Sequence, residues 1–171
     1  VAHKSSIKKV AVSPLNGDIL SAAYDQQVLV WDAESLELKL ALESHASTWE
    51  RSLNWTPDGR GILAGTFDGT VLHWDATNGR QITEIGGNSF SVGNSCINDI
   101  STNNHGLAAM ASDDGYIRLA QLSPTDSKWI QIYKPDSGRI LMNAICLDDT
   151  QLLAGTHDQK LQVFTLIDGR L

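Results

Sequence analysis

The sequence predicts an all-β protein made of four copies of one unit of short antiparallel strands. Four related segments recur along the 171 residues: DILSAAYD, GILAGTFD, GLAAMASDD and QLLAGTHD. Their last aspartates, Asp25, Asp68, Asp114 and Asp158, are separated by 43, 46 and 44 residues. Apolar and polar residues alternate around these segments, and no long stretch has the 3.6-residue period of a helix. A nearly constant repeat length with period-two alternation indicates a β-repeat architecture with very little helix.

Each of the first three units contains four predicted strands, and the last contains three. The strands are predicted over residues 7–13, 18–24, 27–33, 36–42, 51–56, 61–67, 70–76, 80–85, 96–101, 107–112, 116–122, 128–133, 141–147, 151–157 and 160–166. The one segment that competes as a helix is 33–45, but its leucines keep period two, which favours a strand. The second strand of each unit is rich in small apolar residues, which is typical of a strand buried on both faces near a crowded axis.

Composition limits the classes of function. The chain is 42% hydrophobic and 19% charged, so it is expected to fold around a core. Its net charge of −7 disfavours nucleic acids and anionic membranes as partners. No apolar run is long enough to span a membrane as a helix.

The cysteines and scattered histidines and acids give no sign of a metal or redox site. Cys96 and Cys146 lie in apolar runs without a CxxC spacing, so both are expected to be buried. A disulfide between them is neither excluded nor required. The residues His73, His105, His157, Asp99, Asp148 and Asp149 lack metal-ligand spacing and are interpreted as surface or turn residues.

The first two units end their third strand in a Trp-Asp pair, Trp31-Asp32 and Trp74-Asp75. With the repeat length, the four strands and the turn after each aspartate, these pairs resemble the WD40 repeat of β-propellers. The resemblance covers essentially the whole chain. It is weaker in the last two units, where Ala120-Gln121 and Phe164-Thr165 stand in place of Trp-Asp. It implies one propeller segment with four-stranded blades at about 1–44, 45–86, 87–134 and 135–171, the last lacking its outer strand.

The resemblance also implies a structural hydrogen-bond network in each complete blade. The first unit has all four members of it: His3, Ser21, Asp25 and Trp31. In such a network the indole N–H donates to the hydroxyl, the hydroxyl to the imidazole, and the imidazole N–H to the carboxylate. If His3, Ser21 and Asp25 formed a catalytic triad instead, Ser21 would need an activated, exposed hydroxyl. No G-x-S-x-G turn surrounds it.

The network is incomplete in the other units. The second keeps His45, Asp68 and Trp74 but has Ala64 in place of the hydroxyl. The third and fourth keep only Asp114 and Asp158, so these blades are expected to be held more by packing than by the network, and to be softer.

Residues that the resemblance places on exposed loops are candidates for partner contact. The residue before each turn aspartate is expected on one face of the disc, and a nearby loop adds aromatic and basic side chains that are frequent in hot spots. The candidates are Tyr24, Trp49, Arg51, Phe67, Phe90, Asp113 and His157. Two alternatives remain open: Trp49 packs between blades, and the Gly/Ser-rich loop around Phe90 is only a spacer.

The resemblance implies a non-catalytic, intracellular (cytoplasmic or nuclear) platform for other proteins, without a cofactor, as a subunit or sensor portion of something larger. The alternative is a propeller enzyme with a metal or acidic residues in the central channel, where Asp99 is the only acid within the four predicted first strands. Four blades would leave two apolar faces open. Either further blades of a longer protein are expected to close the ring, or the chain closes by itself or with a second copy.

Overall fold

Fifteen strands form four antiparallel sheets in a computed structural model that describes residues 3–42, 48–85, 95–134 and 140–171. The strands are β1 Ile7–Val12, β2 Ile19–Ala23, β3 Val28–Trp31, β4 Leu38–Ala41, β5 Glu50–Trp55, β6 Gly61–Thr66, β7 Val71–Asp75, β8 Gln81–Ile85, β9 Ile97–Thr102, β10 Leu107–Ser112, β11 Ile117–Gln121, β12 Lys128–Tyr133, β13 Met142–Leu147, β14 Gln151–Thr156 and β15 Leu161–Thr165. No helix occurs within these described ranges. The all-β prediction is confirmed, including the strand at the leucine-rich segment 36–42.

Within each sheet the strands follow the order of the chain. The first three sheets contain β1–β4, β5–β8 and β9–β12, and the fourth contains β13–β15. The turn between the second and third strands is tight in every sheet. The residue after each turn aspartate has a positive φ: Gln26 (62°), Gly69 (90°), Gly115 (81°) and Gln159 (66°). These left-handed positions explain why glycine occupies two of the four sites.

The sheets stack on one another through three apolar clusters. Leu20, Val30 and Ile62 represent the cluster between the first and second sheets. Other clusters join the second sheet to the third and the third to the fourth. The first strands lie next to each other in the order β1, β5, β9, β13. They are therefore the innermost strands. The small-residue second strands pair with them, and β6 and β10 are fully buried.

The two outermost sheet faces remain uncovered. Val10 and Val12 in β1 are 61% and 66% exposed, and Leu161 and Val163 in β15 are 66% and 58% exposed. Cys146 is also exposed, so the prediction of two buried cysteines holds only for Cys96. The burial of Cys96 raises the pKa of its thiol to about 11. No helix in the described part of the chain is long and apolar enough to cross a membrane.

Candidate partner-binding edge

A four-residue hydrogen-bond network holds the turn of the first sheet. The Trp31 indole N–H donates to the Ser21 hydroxyl oxygen at 2.8 Å, and that oxygen lies 2.7 Å from His3 Nε2. His3 Nδ1 lies 3.1 Å from an Asp25 carboxylate oxygen. With the proton on Nδ1, every polar atom in the series from Trp31 to Asp25 has a partner of the opposite kind.

The surroundings of this network match a structural role. Burial would raise the pKa of Asp25, but backbone N–H groups of Lys4 and Gln27 and the His3 side chain outweigh it and lower the pKa. Ser21 is only 3% exposed, and its oxygen is already shared between His3 and Trp31. A nucleophilic serine needs access to a substrate carbonyl, which this position does not offer.

The other three sheets use a hydroxyl that the sequence analysis did not consider. The residue two positions before the turn aspartate is Thr66, Ser112 or Thr156, and its hydroxyl donates to the carboxylate of Asp68, Asp114 or Asp158. In the first sheet this position is Ala23, and the hydroxyl lies two residues earlier. The sequence shows this hydroxyl residue two positions before the last aspartate in the segments AGTFD, MASDD and AGTHD.

The third sheet contains a buried ion pair that the sequence analysis did not consider. Both Arg118 and Asp114 are 5% exposed. Arg118 donates through both terminal nitrogens to the two oxygens of Asp114, and also to Ser112 Oγ at 2.7 Å. Burial alone would raise the pKa of Asp114, but the hydrogen bonds from Arg118, Ser112 and the Tyr116 backbone lower it. In the fourth sheet, the turn aspartate Asp158 accepts from the Thr156 hydroxyl and forms an exposed pair with Lys160.

The four residues that precede the turn aspartates lie at the same edge of their sheets, here called the turn edge. Their backbone N–H groups each donate to the carbonyl of a residue just before or at the start of the innermost-strand segment. The pairs are Tyr24 to Ser6, Phe67 to Trp49, Asp113 to Cys96 and His157 to Leu141. The side chains therefore belong to equivalent positions of the four sheets.

Three of the predicted contact residues form a row of aromatic rings across the first two sheets. Trp49 lies between Tyr24 and Phe67, with ring centroids 5.6 Å and 5.0 Å apart. Tyr24 and Phe67 are 41% and 43% exposed. The Lys8 ammonium lies 4.8 Å from the centre of the Tyr24 ring. Trp49 is only half-buried, so it both packs between blades and remains accessible.

The turn edge is polar in the other two sheets. The Asn98 amide donates to Asp113 at 2.6 Å and to the Met142 carbonyl at 2.8 Å. His157 is exposed. Arg51 is exposed on β5. His45 and Phe90, which the sequence analysis also singled out, lie outside the described residues.

Two other titratable residues, Asp99 and His73, are relevant to a catalytic or metal-binding role. The carboxylate of Asp99 on β9 accepts from the Ile145 backbone N–H at 3.0 Å and lies 3.4 Å from Lys9 Nζ, so it joins three innermost strands. His73 is buried beside Ser127 with its pKa lowered by burial, so its interpretation as a surface residue is wrong. Among the described residues, no three His, Cys, Asp or Glu side chains come together as a metal-binding group.

Comparison with known proteins supports the repeat assignment. Residues 1–32 and 37–75 match the family model for the WD domain, G-beta repeat. The chain is 27% identical over 172 residues to Protein FIZZY-RELATED 3 of Arabidopsis thaliana, covering 97% of this chain and 34% of that protein. It is 27% identical over 174 residues to the small ribosomal subunit protein RACK1 of Caenorhabditis elegans, covering 95% of this chain and 51% of that protein. The chain thus spans about a third to a half of the length of these relatives.

The fold also matches a solved structure, that of the computationally designed Ika4 protein. The TM-score is 0.78 at 21% sequence identity, with 96% of this chain and 94% of that chain covered. At this identity the likeness bears on the fold alone.

Proposed function

The chain belongs to the WD40-repeat family, and we propose that it is a non-catalytic protein-interaction module within a larger protein or complex. It forms one propeller segment whose blades we assign to residues 1–44, 45–86, 87–134 and 135–171. The partners are other proteins, and the module acts inside the cell, in the cytoplasm or the nucleus. Imaging of a fluorescently tagged chain in living cells tests that location.

The aromatic row at the turn edge is the observation that carries the proposal. Tyr24 and Phe67 each leave about two fifths of their surface in solvent, and Trp49 supports both rings. Exposed aromatic rings held in a fixed arrangement are typical anchors of protein interfaces. Arg51, Asp113 and His157 extend the contact surface around the row.

The proposal is tested by removing the row and comparing the captured proteins. We expect the combined change Tyr24→Ser, Trp49→Ala and Phe67→Ser to abolish capture of specific partners by the immobilised chain, measured by quantitative mass spectrometry. The matched control is Leu15→Ser with Ile167→Ser, since both side chains are exposed and apolar but lie away from the row. Unchanged capture by the triple variant, with its fold retained by circular dichroism, contradicts the proposal.

The two uncovered sheet faces lead to a second part of the proposal, ring completion. Apolar faces of this kind are stable only when another sheet covers them. Either further blades or a second copy of this chain covers Val10 and Val12 on one side and Leu161 and Val163 on the other. Light scattering after gel filtration separates the two: a clean dimer supports the second copy, and a monomer or aggregates support the need for further blades.

The alternative function, a propeller enzyme, would use acidic side chains in the central channel. Asp99 is the acid that it would use, and its two oxygens are engaged by Lys9 and Ile145. The specific observations therefore favour binding. Tight stoichiometric metal in the purified chain, measured by elemental analysis, would support the enzyme instead.

A further inference from the structure

Each innermost strand carries one extra residue near its start, where the pairing register to the second strand shifts. In β1 and β5 the extra residues are Lys8 and Arg51, because Ile7 and Lys9 pair with consecutive residues of β2, and Glu50 and Ser52 with consecutive residues of β6. In β9 and β13 they are Asn98 and Asn143. Such bulges change the direction of a side chain and are frequent next to functional sites.

The bulges divide the turn edge into two halves of different chemistry. The first two sheets present a cation at the bulge and an aromatic ring before the turn aspartate: Lys8 with Tyr24, and Arg51 with Phe67. The other two present asparagines at the bulges, with Asp113 and His157 before the aspartates. The half on the first two sheets, here called the aromatic–cationic half, comprises Lys8, Tyr24, Trp49, Arg51 and Phe67.

The two cations of this half have no carboxylate partner among the described residues. Ion pairs engage other cations of the chain, as in Lys9 with Asp99, Lys39 with Asp18, and Arg118 with Asp114. Neither Lys8 nor Arg51 is within ion-pair distance of a described acid, although the chain as a whole carries a net charge of −7. Two positive charges without an ion-pair partner in the described ranges thus lie beside the exposed rings.

The geometry disfavours a cationic ligand in this half. The rings of Tyr24, Trp49 and Phe67 pack against each other at 5.6 Å and 5.0 Å, which leaves no gap between neighbouring rings for an ammonium group. The Lys8 ammonium already lies over the Tyr24 ring. A second cation at this ring would meet a like charge.

We propose that the aromatic–cationic half binds a peptide segment in which an apolar or aromatic anchor is flanked by Asp or Glu. The anchor packs on the exposed faces of Tyr24 and Phe67, and the flanking carboxylates pair with Lys8 and Arg51. This inference rests on the proposed interaction function and names the chemistry of its partner. Because the chain repels acidic segments at long range, the preference arises from short-range contacts.

The test uses three matched sets of short peptides with a central Leu or Trp and flanks of Glu, Gln or Lys. Binding to the whole chain is measured by fluorescence anisotropy at about 0.15 M salt, where the screening length is roughly 8 Å. We expect the Glu-flanked set to bind about tenfold more tightly than the Gln-flanked set, and the Lys-flanked set to bind weakest. The advantage of the Glu-flanked set decreases as salt is raised.

Charge reversal at the bulges distinguishes local recognition from general charge effects. Lys8→Glu with Arg51→Glu is expected to reverse the order, so that the Lys-flanked set binds best. Arg80→Glu is the matched control, since Arg80 is exposed in the β7–β8 loop at the opposite edge, and it leaves the order unchanged. If the reversed variant does not fold, Lys8→Gln with Arg51→Gln serves instead and is expected to equalise the Glu-flanked and Gln-flanked sets.

The possible failures are distinguishable. Equal binding of all three sets, or a preference for Glu that survives the changes at Lys8 and Arg51, overturns the charge inference but leaves the interaction function standing. Tightest binding of the Lys-flanked set to the unaltered chain identifies a basic partner and also overturns the inference. No binding by any set, together with unchanged capture after removal of the aromatic row, overturns both.

Discussion

The first and third sheets hold equivalent turn aspartates with different side chains. In the first, Asp25 is bonded to His3, which reaches it from the segment before β1 and connects it to Ser21 and Trp31. In the third, Asp114 is bonded to Arg118 and Ser112, which lie on the two strands flanking the turn. The first network thus connects distant parts of its sheet, whereas the third is contained in one hairpin.

The difference between the two networks predicts how each sheet responds to the loss of one side chain. The first network consists of hydrogen bonds shared among four side chains, so the loss of one member leaves the others partly bonded. The third is a buried ion pair, in which removal of one charge leaves the other without compensation. The third sheet, whose sequence departs further from the repeat pattern, should therefore be the more sensitive to a single polar substitution.

The largest effect is expected from Arg118→Met. The change leaves the Asp114 carboxylate buried and without its guanidinium partner, and such losses cost about 3–5 kcal/mol. Urea unfolding followed by circular dichroism measures the change in the free energy of unfolding. Arg80→Met, at an exposed arginine, is the control and should stay within about 0.5 kcal/mol of the unaltered chain.

A second variant separates the lost pair from lost packing. Arg118→Met combined with Asp114→Asn removes both charges, so most of the lost stability should return. If the double variant is as unstable as Arg118→Met alone, the stems of the side chains rather than the ion pair stabilise the sheet.

Ser21→Ala is the corresponding change in the first sheet, with a smaller expected effect. It deprives the Trp31 indole and the His3 imidazole of their shared hydroxyl, while Asp25 keeps its bonds to His3 and to the Lys4 backbone. The expected cost is about 1–3 kcal/mol, typical of unpaired buried polar groups. The same unfolding measurement applies, with the exposed Ser5→Ala as control. A cost as large as that of Arg118→Met would remove the distinction between the two networks.

The strands were predictable and the polar contacts only partly so. Each observed strand bound lies within about two residues of its prediction, because alternation and turn residues are local signals. The residues of the first network were also found, since His3, Ser21, Asp25 and Trp31 all fit a known repeat.

The features that the sequence analysis missed depend on contacts between strands. Arg118 lies in an apolar strand, where a lone charge is usually interpreted as facing solvent, and only its position opposite Asp114 explains its burial. Arg51 was a contact candidate from the sequence but Lys8 was not, and the position of both at bulges was missed, because a bulge depends on the pairing register between two strands rather than on either sequence alone.

Lowering the pH should reduce the difference in stability cost between Arg118→Met and Ser21→Ala. The pKa of Asp114 is lowered in the folded chain, so the stability that it contributes is present above its unfolded pKa, about 3.9, and is lost as pH falls through the folded value. Without Arg118, burial would instead raise this pKa and favour the protonated form.

The cost of Arg118→Met should therefore decrease as pH falls from 7 toward 3, by on the order of 1 kcal/mol for each unit by which the two folded pKa values differ. The cost of Ser21→Ala should change less, because the Lys4 and Gln27 backbone N–H groups still stabilise the Asp25 carboxylate in that variant. Unfolding curves at several pH values measure both. A cost of Arg118→Met that is constant with pH would contradict the charge-based explanation.

The smallest effect is expected from Lys160→Met in the fourth sheet. Lys160 Nζ lies 2.7 Å from the Asp158 carboxylate, but the Lys160 side chain is 63% exposed. The Thr156 hydroxyl still donates to Asp158 after the change. Because water and salt screen an exposed pair, the melting temperature should stay the same within error despite the short distance between the two groups. A fall as large as that caused by Arg118→Met would mean that the turn aspartate needs a cation in every sheet, whether or not the pair is buried.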